Sequence, residues 1–156
     1  MKKINKITSM LSRTVISCFL LSAMFSVQAQ NLTATDGFIR ESIPGTTISS
    51  AYMTLTNTSE KSVTLVGASS KISARIEIHE HSMSNGMMSM RQLDSIVINS
   101  KEAAILQPSG LHLMIFDIEE PLKHGDLITL TLHFSSQPNV EIQLPVQSIK
   151  RKQHHH

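Results

Sequence analysis

Cysteine and tryptophan are almost absent from this sequence, which has one cysteine and no tryptophan in 156 residues. The single cysteine, Cys18, lies near the N-terminus, inside an apolar segment. Because no cysteine follows it, the rest of the chain has neither a thiol nor a disulfide. The stability of that part must therefore come from packing and hydrogen bonding.

Apolar runs long enough to cross a membrane are also missing. The run "TVISCFLLSAMF", Thr14 to Phe25, is shorter than the roughly twenty residues that a transmembrane helix needs. The whole chain is 40% hydrophobic and 17% charged, which is typical of one compact domain with a single buried core. This composition argues against disorder and against a membrane-spanning bundle, so we expect no stable membrane insertion.

The first 29 residues have the pattern of a secretory signal peptide. Basic residues precede the apolar run and "SVQA" follows it, with Val27 and Ala29 at the small-residue positions of a cleavage site. We therefore expect residues 1–29 to be removed after Ala29. The segment "VISC" loosely resembles a lipoprotein processing site, but Cys18 lies only five residues after Arg13 and the apolar run continues beyond it. Lipidation of Cys18 is therefore not expected.

The positive charge of the chain belongs to this N-terminal segment. The full sequence has a net charge of +2, but four of its fourteen Lys and Arg residues precede residue 29 and all twelve acidic residues follow it. The mature chain is therefore slightly acidic, with a net charge of −2. Composition gives no reason to expect a nucleic-acid partner.

Short β-type segments separated by turn residues make up the rest of the chain. Turn signals such as "PSG" and "HGD" occur between them, and no long segment has helical periodicity. This pattern predicts an all-β sandwich in one domain, residues 30–148, followed by a basic, His-rich tail, residues 149–156, that hangs free. The predicted strands are Ile48–Asn57, Ser62–Ser69, Arg75–His81, Met90–Leu93, Ser95–Ile98, Ala103–Leu106, Leu111–Phe116, Leu127–Phe134 and Val140–Val146.

Soft metal ligands are concentrated on two of these strands and in the loop predicted between 81 and 90. Alternation places Ile76 and Ile78 on the core face of "RIEIHEH", which puts His79 on the other face. In "LHLMIF" the same rule places His112 and Met114 away from the core face. His79, Met90, His112 and Met114 therefore form a candidate site of two imidazoles and two thioethers.

This donor set is chemically selective. Thioether sulfur is soft and neutral and suits monovalent copper, whereas it binds magnesium, calcium and zinc poorly. Outside the cytoplasm a thiolate ligand risks oxidation to a disulfide, and methionine does not. The sequence therefore predicts a Cu(I) site. Four neighbouring residues are second-tier candidates, as auxiliary ligands, exchange ligands or simple loop content: His81, Met83, Met87 and Met88.

The segments "IEIHEHSMSNGMMSMRQL" and "LQPSGLHLMIFDIEEPLKHGDLITLTLHF" resemble the PCu(A)C family of periplasmic copper chaperones, which have a cupredoxin-like Greek-key β-sandwich. The family motif is a histidine, ten residues, a methionine, twenty-one residues, then His-x-Met. The four residues His79, Met90, His112 and Met114 match it without a gap. The resemblance covers residues 31–147 and implies a shallow, exposed Cu(I) site in a monomeric periplasmic protein. It also implies delivery of copper toward the binuclear centre of cytochrome c oxidase, with an oxidase subunit or a thiol-bearing Sco-type protein as partner.

Three other functions are alternatives to a chaperone. A copper buffer without a specific recipient is barely separable from a chaperone by sequence. An electron-transfer cupredoxin is disfavoured because a blue-copper site needs a cysteine thiolate, which the mature chain lacks. An enzyme is not expected, because no nucleophile has an obvious base and the donors have no water-activating zinc pattern.

The C-terminal histidines, His154, His155 and His156, pose a separate question. They are either an encoded tail that captures Cu(II) or the remnant of a purification tag, since His-rich tracts bind metals whatever their origin. Both interpretations stay open at the level of sequence.

Overall fold

The computed structural model describes residues 31–84 and 86–148. The predicted signal peptide, Cys18 and the C-terminal histidines lie outside these residues. Within them, ten strands form: β1 Leu32–Arg40, β2 Ser49–Asn57, β3 Val63–Ser69, β4 Arg75–Ser84, β5 Met87–Leu93, β6 Ile96–Ile98, β7 Ala103–Leu106, β8 Leu111–Phe116, β9 Leu127–Phe134 and β10 Val140–Gln147. None of the described residues forms a helix, so no helix there is long and apolar enough to span a membrane.

The strands form one continuous sheet in the order β5-β4-β8-β7-β2-β1-β10-β9-β3-β6, with β8 also paired to β2. The β1–β10 and β7–β8 pairs are parallel, and the other pairs are antiparallel. Strand β3 also contacts β4, and β6 contacts β7, although neither pair is adjacent in the hydrogen-bonded order. The all-β, single-domain fold expected from the sequence is confirmed.

Aliphatic side chains from both halves of the sheet fill the interior. Leu55, Leu65, Leu113, Ile115 and Leu130 are completely buried, and they come from β2, β3, β8 and β9. Burying such side chains contributes roughly 1.5–3 kcal/mol each relative to leaving them exposed. This core holds β4 and β8 in a fixed register, which positions the candidate metal ligands.

Strand β1 was missed by the sequence analysis, and its irregular centre gives the reason. The β1–β2 register shifts between Thr35 and Phe38, and Asp36 has a φ of 54°. This β-bulge contains the dipeptide Asp36-Gly37, which by itself favours a turn. Pairing of β1 with β2 and β10 keeps the segment extended in spite of that local preference.

The loop predicted around Asn85 and Gly86 is much shorter in the structure. Strand β4 continues to Ser84 and β5 begins at Met87, so only two residues connect them. Gly86 has a φ of 76°, the left-handed conformation that a tight hairpin turn requires. Met83, Met87 and Met88 therefore lie on paired strands, and the interpretation of these methionines as loop content is wrong.

Candidate metal centre

Strands β4 and β8 bring the two principal histidines side by side. In the antiparallel register His79 is directly opposite His112, and Ile78 is directly opposite Leu113. The first pair points away from the core and the second into it, as strand alternation predicts. The ring centroids of His79 and His112 lie 5.9 Å apart.

His112 is much more buried than a shallow site implies. Only 2% of the residue is exposed, although its side chain lies on the face opposite to the aliphatic core. Burial lowers the pKa of His112, because the charged imidazolium is poorly solvated there, although its hydrogen bond to Gly110 opposes the shift. The expectation of an exposed site is therefore wrong for this ligand.

The hydrogen bonding of His112 leaves one nitrogen free for a metal. Its Nδ1 lies 3.0 Å from the carbonyl oxygen of Gly110, which can only accept, so Nδ1–H donates. In the neutral ring the lone pair is then on Nε2. A backbone carbonyl that fixes the ring in this way is the usual partner of a metal-binding histidine.

His79 is held by a carboxylate instead. Its Nε2 lies 2.8 Å from Oε2 of Glu77, and Oε1 of Glu77 accepts a hydrogen bond of 3.3 Å from Arg75. The hydrogen bond from His79 lowers the pKa of Glu77 against a smaller opposing effect of burial, and Arg75 lowers it further, so the carboxylate is ionised and Nε2–H donates. The Nδ1 of His79 is buried and has no hydrogen-bond partner among residues 31–84 and 86–148. This unsatisfied nitrogen fits a metal ligand, because a buried lone pair without a partner is otherwise costly.

Met114 lies two residues beyond His112 on the same face of β8, opposite Glu77 on β4 and Ser50 on β2. The hydroxyl of Ser50 is 3.6 Å from the Met114 sulfur and donates to it. Ser50 is itself buried. A half-buried thioether held by a buried hydroxyl is an oriented donor.

Met90 differs from the other three candidates in its exposure. It lies on the edge strand β5, opposite His81, and is 46% exposed. Since cross-strand partners share a face, Met90 is on the same side of the sheet as His79 and His81. The four predicted ligands therefore share one face, with Met90 at its accessible rim.

The second-tier residues divide into two groups. His81 is on the ligand face, and its ring centroid is 5.0 Å from that of His112, closer than His79. The Nδ1 of His81 is also buried, and no described residue is its hydrogen-bond partner. Met83 and Met88 are directly opposite each other on the same face, whereas alternation puts Met87 on the other face.

Aromatic rings border the site and were not singled out from the sequence. The ring centroid of Tyr52 lies 6.2 Å from that of His112. The ring centroid of Phe116 lies 5.8 Å from that of His79. The guanidinium of Arg75 stacks 3.9 Å from the Phe116 ring centre and bonds Asp117. Strand alternation in the sequence places Phe116, two residues after Met114 on β8, on this face, and the structure agrees.

No three His, Cys, Asp or Glu side chains are grouped to hold one metal ion within residues 31–84 and 86–148. The Glu77 carboxylate on this face is engaged by His79 and Arg75, so the remaining donors that the face offers are imidazole nitrogens and thioether sulfurs. That mixture suits Cu(I) and fits hard cations poorly. The face can therefore bind a soft ion in exchangeable fashion.

The family model described as "Putative lipoprotein LpqE-like" matches residues 32–146. The chain belongs to the LpqE-like family. It is 29% identical over 104 residues to a "Putative lipoprotein" of Leifsonia xyli, and 30% identical over 99 residues to an uncharacterized protein of Rickettsia prowazekii. These alignments cover 66% and 63% of this chain, but only 63% and 55% of the relatives' own lengths.

Solved PCuAC domains have the same fold as this member of the LpqE-like family. The copper-bound PCuAC domain from PmoF2 superposes with a TM-score of 0.65 at 20% identity, over 76% of this chain and 93% of that domain. DR1885 from Deinococcus radiodurans, solved in apo and Cu(I) forms, superposes with a TM-score of 0.60 in both. The two alignments are 27% and 28% identical and cover 78% and 76% of this chain and 81% of each DR1885 chain. The resemblance to PCu(A)C proteins and the cupredoxin-like fold are thus confirmed.

Proposed function

We propose that this protein is a copper chaperone that binds Cu(I) through His79, Met90, His112 and Met114. The observation that carries the proposal is the β4–β8 register, which sets His79 beside His112 and places Met114 on the same face. Each histidine has one nitrogen engaged by an oxygen acceptor and the other available. The copper-bound PCuAC domain and Cu(I)-bound DR1885 support copper as the cargo.

The graded burial of the ligands supports transfer. His112 is buried, Met114 is half-buried and Met90 is nearly half exposed. An acceptor protein can reach Met90 first. A ligand residue of the acceptor then replaces the Met90 thioether while the histidines still hold the ion. Neutral thioethers exchange without a proton being taken up, which favours release.

Delivery of copper toward the binuclear centre of cytochrome c oxidase is part of the proposal. The acceptor is an oxidase subunit or a thiol-bearing Sco-type protein, and the role is non-enzymatic. Export to the periplasm, with cleavage after Ala29, would place the protein where such acceptors occur. The matching family model and the Leifsonia xyli relative are both described as putative lipoproteins, so lipoprotein processing at Cys18 is the alternative to cleavage after Ala29. Mass spectrometry of the mature N-terminus distinguishes the two.

The ligand assignment is tested by Cu(I) competition titration of Met90→Leu and Met114→Leu against the parent. Each variant is expected to bind Cu(I) more weakly, and X-ray absorption of the parent should show both sulfur and nitrogen ligands. Met53→Leu is the matched control, because Met53 is buried in the aliphatic core. Unchanged Cu(I) affinity in both ligand variants, or zinc binding as tight as copper binding, would contradict the assignment.

A transfer assay separates a chaperone from a buffer. Copper-loaded protein is mixed with a Sco-type protein or with the copper-binding domain of an oxidase subunit, and copper is followed after separation. A chaperone transfers Cu(I) to the acceptor faster than Cu(I) dissociates from the chaperone into solution. Transfer no faster than dissociation would favour buffering.

A further inference from the structure

The hairpin of β4 and β5 continues the ligand face beyond the four proposed ligands. His81 is opposite Met90, and the next pair on that face, toward the turn, is Met83 opposite Met88. Three donors are therefore left outside the four-ligand site. We call His81, Met83 and Met88 the outer cluster.

Side-chain contacts on the other face agree with this register. The hydroxyls of Ser82 and Ser89 are 3.0 Å apart, and Arg91 donates to Glu80 at 2.8 Å. These pairs alternate with the pairs of the outer cluster, which must therefore project from the opposite face. The Cβ atoms of cross-strand partners lie about 5 Å apart, so two methionine side chains can bring both sulfurs to one ion.

The fold makes little use of the donors in the outer cluster. Met83 and Met88 are 71% and 65% exposed, so neither side chain fills core space. The Nδ1 of His81 is buried and has no hydrogen-bond partner within the part of the chain that the structure describes, although a buried nitrogen usually has one. Two free thioethers beside an unsatisfied imidazole are the components of a soft-metal site.

We propose that His81, Met83 and Met88 form a second, outer Cu(I) site through which the ion enters and leaves. This inference rests on the proposed function, since it takes the same ion as cargo. Met90 is opposite His81 and links the two sites. As the ion moves inward, a bond from copper to one thioether breaks while a bond to another forms, and copper stays monovalent throughout.

The test uses Ag(I), a redox-inert probe for Cu(I), and the protein labelled with ¹³C at the methionine methyl groups. His154, His155 and His156 are replaced by alanine in every sample so that the tail binds no silver. The methyl signals of Met90 and Met114 are expected to shift with the first equivalent, and those of Met83 and Met88 with the second. Signals of Met83 and Met88 that stay fixed through two equivalents would overturn the outer site.

Stoichiometry gives an independent measurement with a matched control. The double variant Met83→Leu/Met88→Leu is expected to bind one silver ion instead of two. Met87→Leu, which changes an equally exposed methionine on the opposite face, should still bind two. Two ions bound by the double variant, or one ion bound by Met87→Leu, would refute the proposal.

The same spectra separate this inference from the proposed function. If Met83 and Met88 shift while Met90 and Met114 do not, the outer site stands and the four-ligand assignment fails. If Met90 and Met114 shift alone, the four-ligand assignment stands and the outer site fails.

Discussion

At the scale of single residues, the candidate site depends on how each imidazole is oriented. Glu77 fixes the His79 ring from the side away from the free nitrogen. Arg75 holds Glu77 in turn and also donates a hydrogen bond to Asp117. The carbonyl of Gly110 does the same for His112. The sequence places the histidines on a face by alternation, but it does not say which nitrogen is free. That depends on the rotamer by which each ring reaches an acceptor two residues earlier in the chain.

Removing the Glu77 carboxylate should weaken copper binding without removing a ligand. Glu77→Ala leaves the His79 ring free to rotate, and loss of such a partner typically costs 10–100-fold in metal affinity, so we expect the Cu(I) dissociation constant to rise about tenfold. Competition titration checks this. Glu80→Ala, which breaks the Arg91 pair on the opposite face, is the control and should bind as the parent does.

The burial of His112 should make the protein less stable in acid. Its folded-state pKa is lowered from 6.5, chiefly by burial, so the unfolded state binds the proton more readily. The contribution of His112 to stability is therefore complete above about pH 6.5, the unfolded value, and is lost as the pH falls through the lower folded pKa. Urea unfolding of the parent and His112→Gln between pH 8 and pH 5 measures this, with the variant showing the flatter profile. Equal pH slopes would contradict the account.

At the scale of elements, long alternating strands were predictable and irregular ones were not. β7, β8 and β9 have the predicted bounds because each combines alternation with β-branched or aliphatic residues. β1 was missed because Asp36-Gly37 favours a turn locally. The predicted β5 begins at Met90 instead of Met87, because the polar, Met-rich start of the strand has no aliphatic pattern. Cross-strand pairing decided both cases.

The bulge in β1 also limits which residues can occupy position 37. A Cβ on Gly37 would lie 2.3 Å from Cδ2 of Leu144, a buried core atom, so one of the two must move. We expect Gly37→Ala to lower the free energy of unfolding by about 1–3 kcal/mol, the usual cost of overpacking. Urea denaturation measures it. The double variant Gly37→Ala/Leu144→Ala should lose less stability than the two single variants lose in sum. Strict additivity would show that the contact does not matter.

At the scale of the whole molecule, the proposed ligands come from the β4–β5 hairpin and from β8, which β6 and β7 separate from that hairpin in the sequence. A bound ion would tie β4, β5 and β8 together at one end of the sheet. Because the unfolded chain does not hold these ligands together, binding should stabilise the fold. Stability and copper binding are thus linked through the same strand register.

Cu(I) should therefore raise the unfolding temperature in a concentration-dependent way. At a free concentration a thousandfold above the dissociation constant, the stabilisation is about 4 kcal/mol. Thermal unfolding at a series of buffered Cu(I) concentrations measures it. In Met114→Leu, the rise in unfolding temperature should require higher Cu(I) concentrations, whereas Met87→Leu should respond to Cu(I) as the parent does. An unfolding temperature independent of Cu(I) would mean that no folded-state site exists.

The sequence by itself determined the fold class, the soft character of the donors and the face on which His79, His112 and Met114 lie. Those properties follow from composition and strand alternation, which are local. Tertiary structure alone decided that His112 is buried and that β8 pairs with β4 in the register that sets His112 opposite His79. Register and burial depend on which strands pair across long stretches of sequence, and no local pattern encodes that choice.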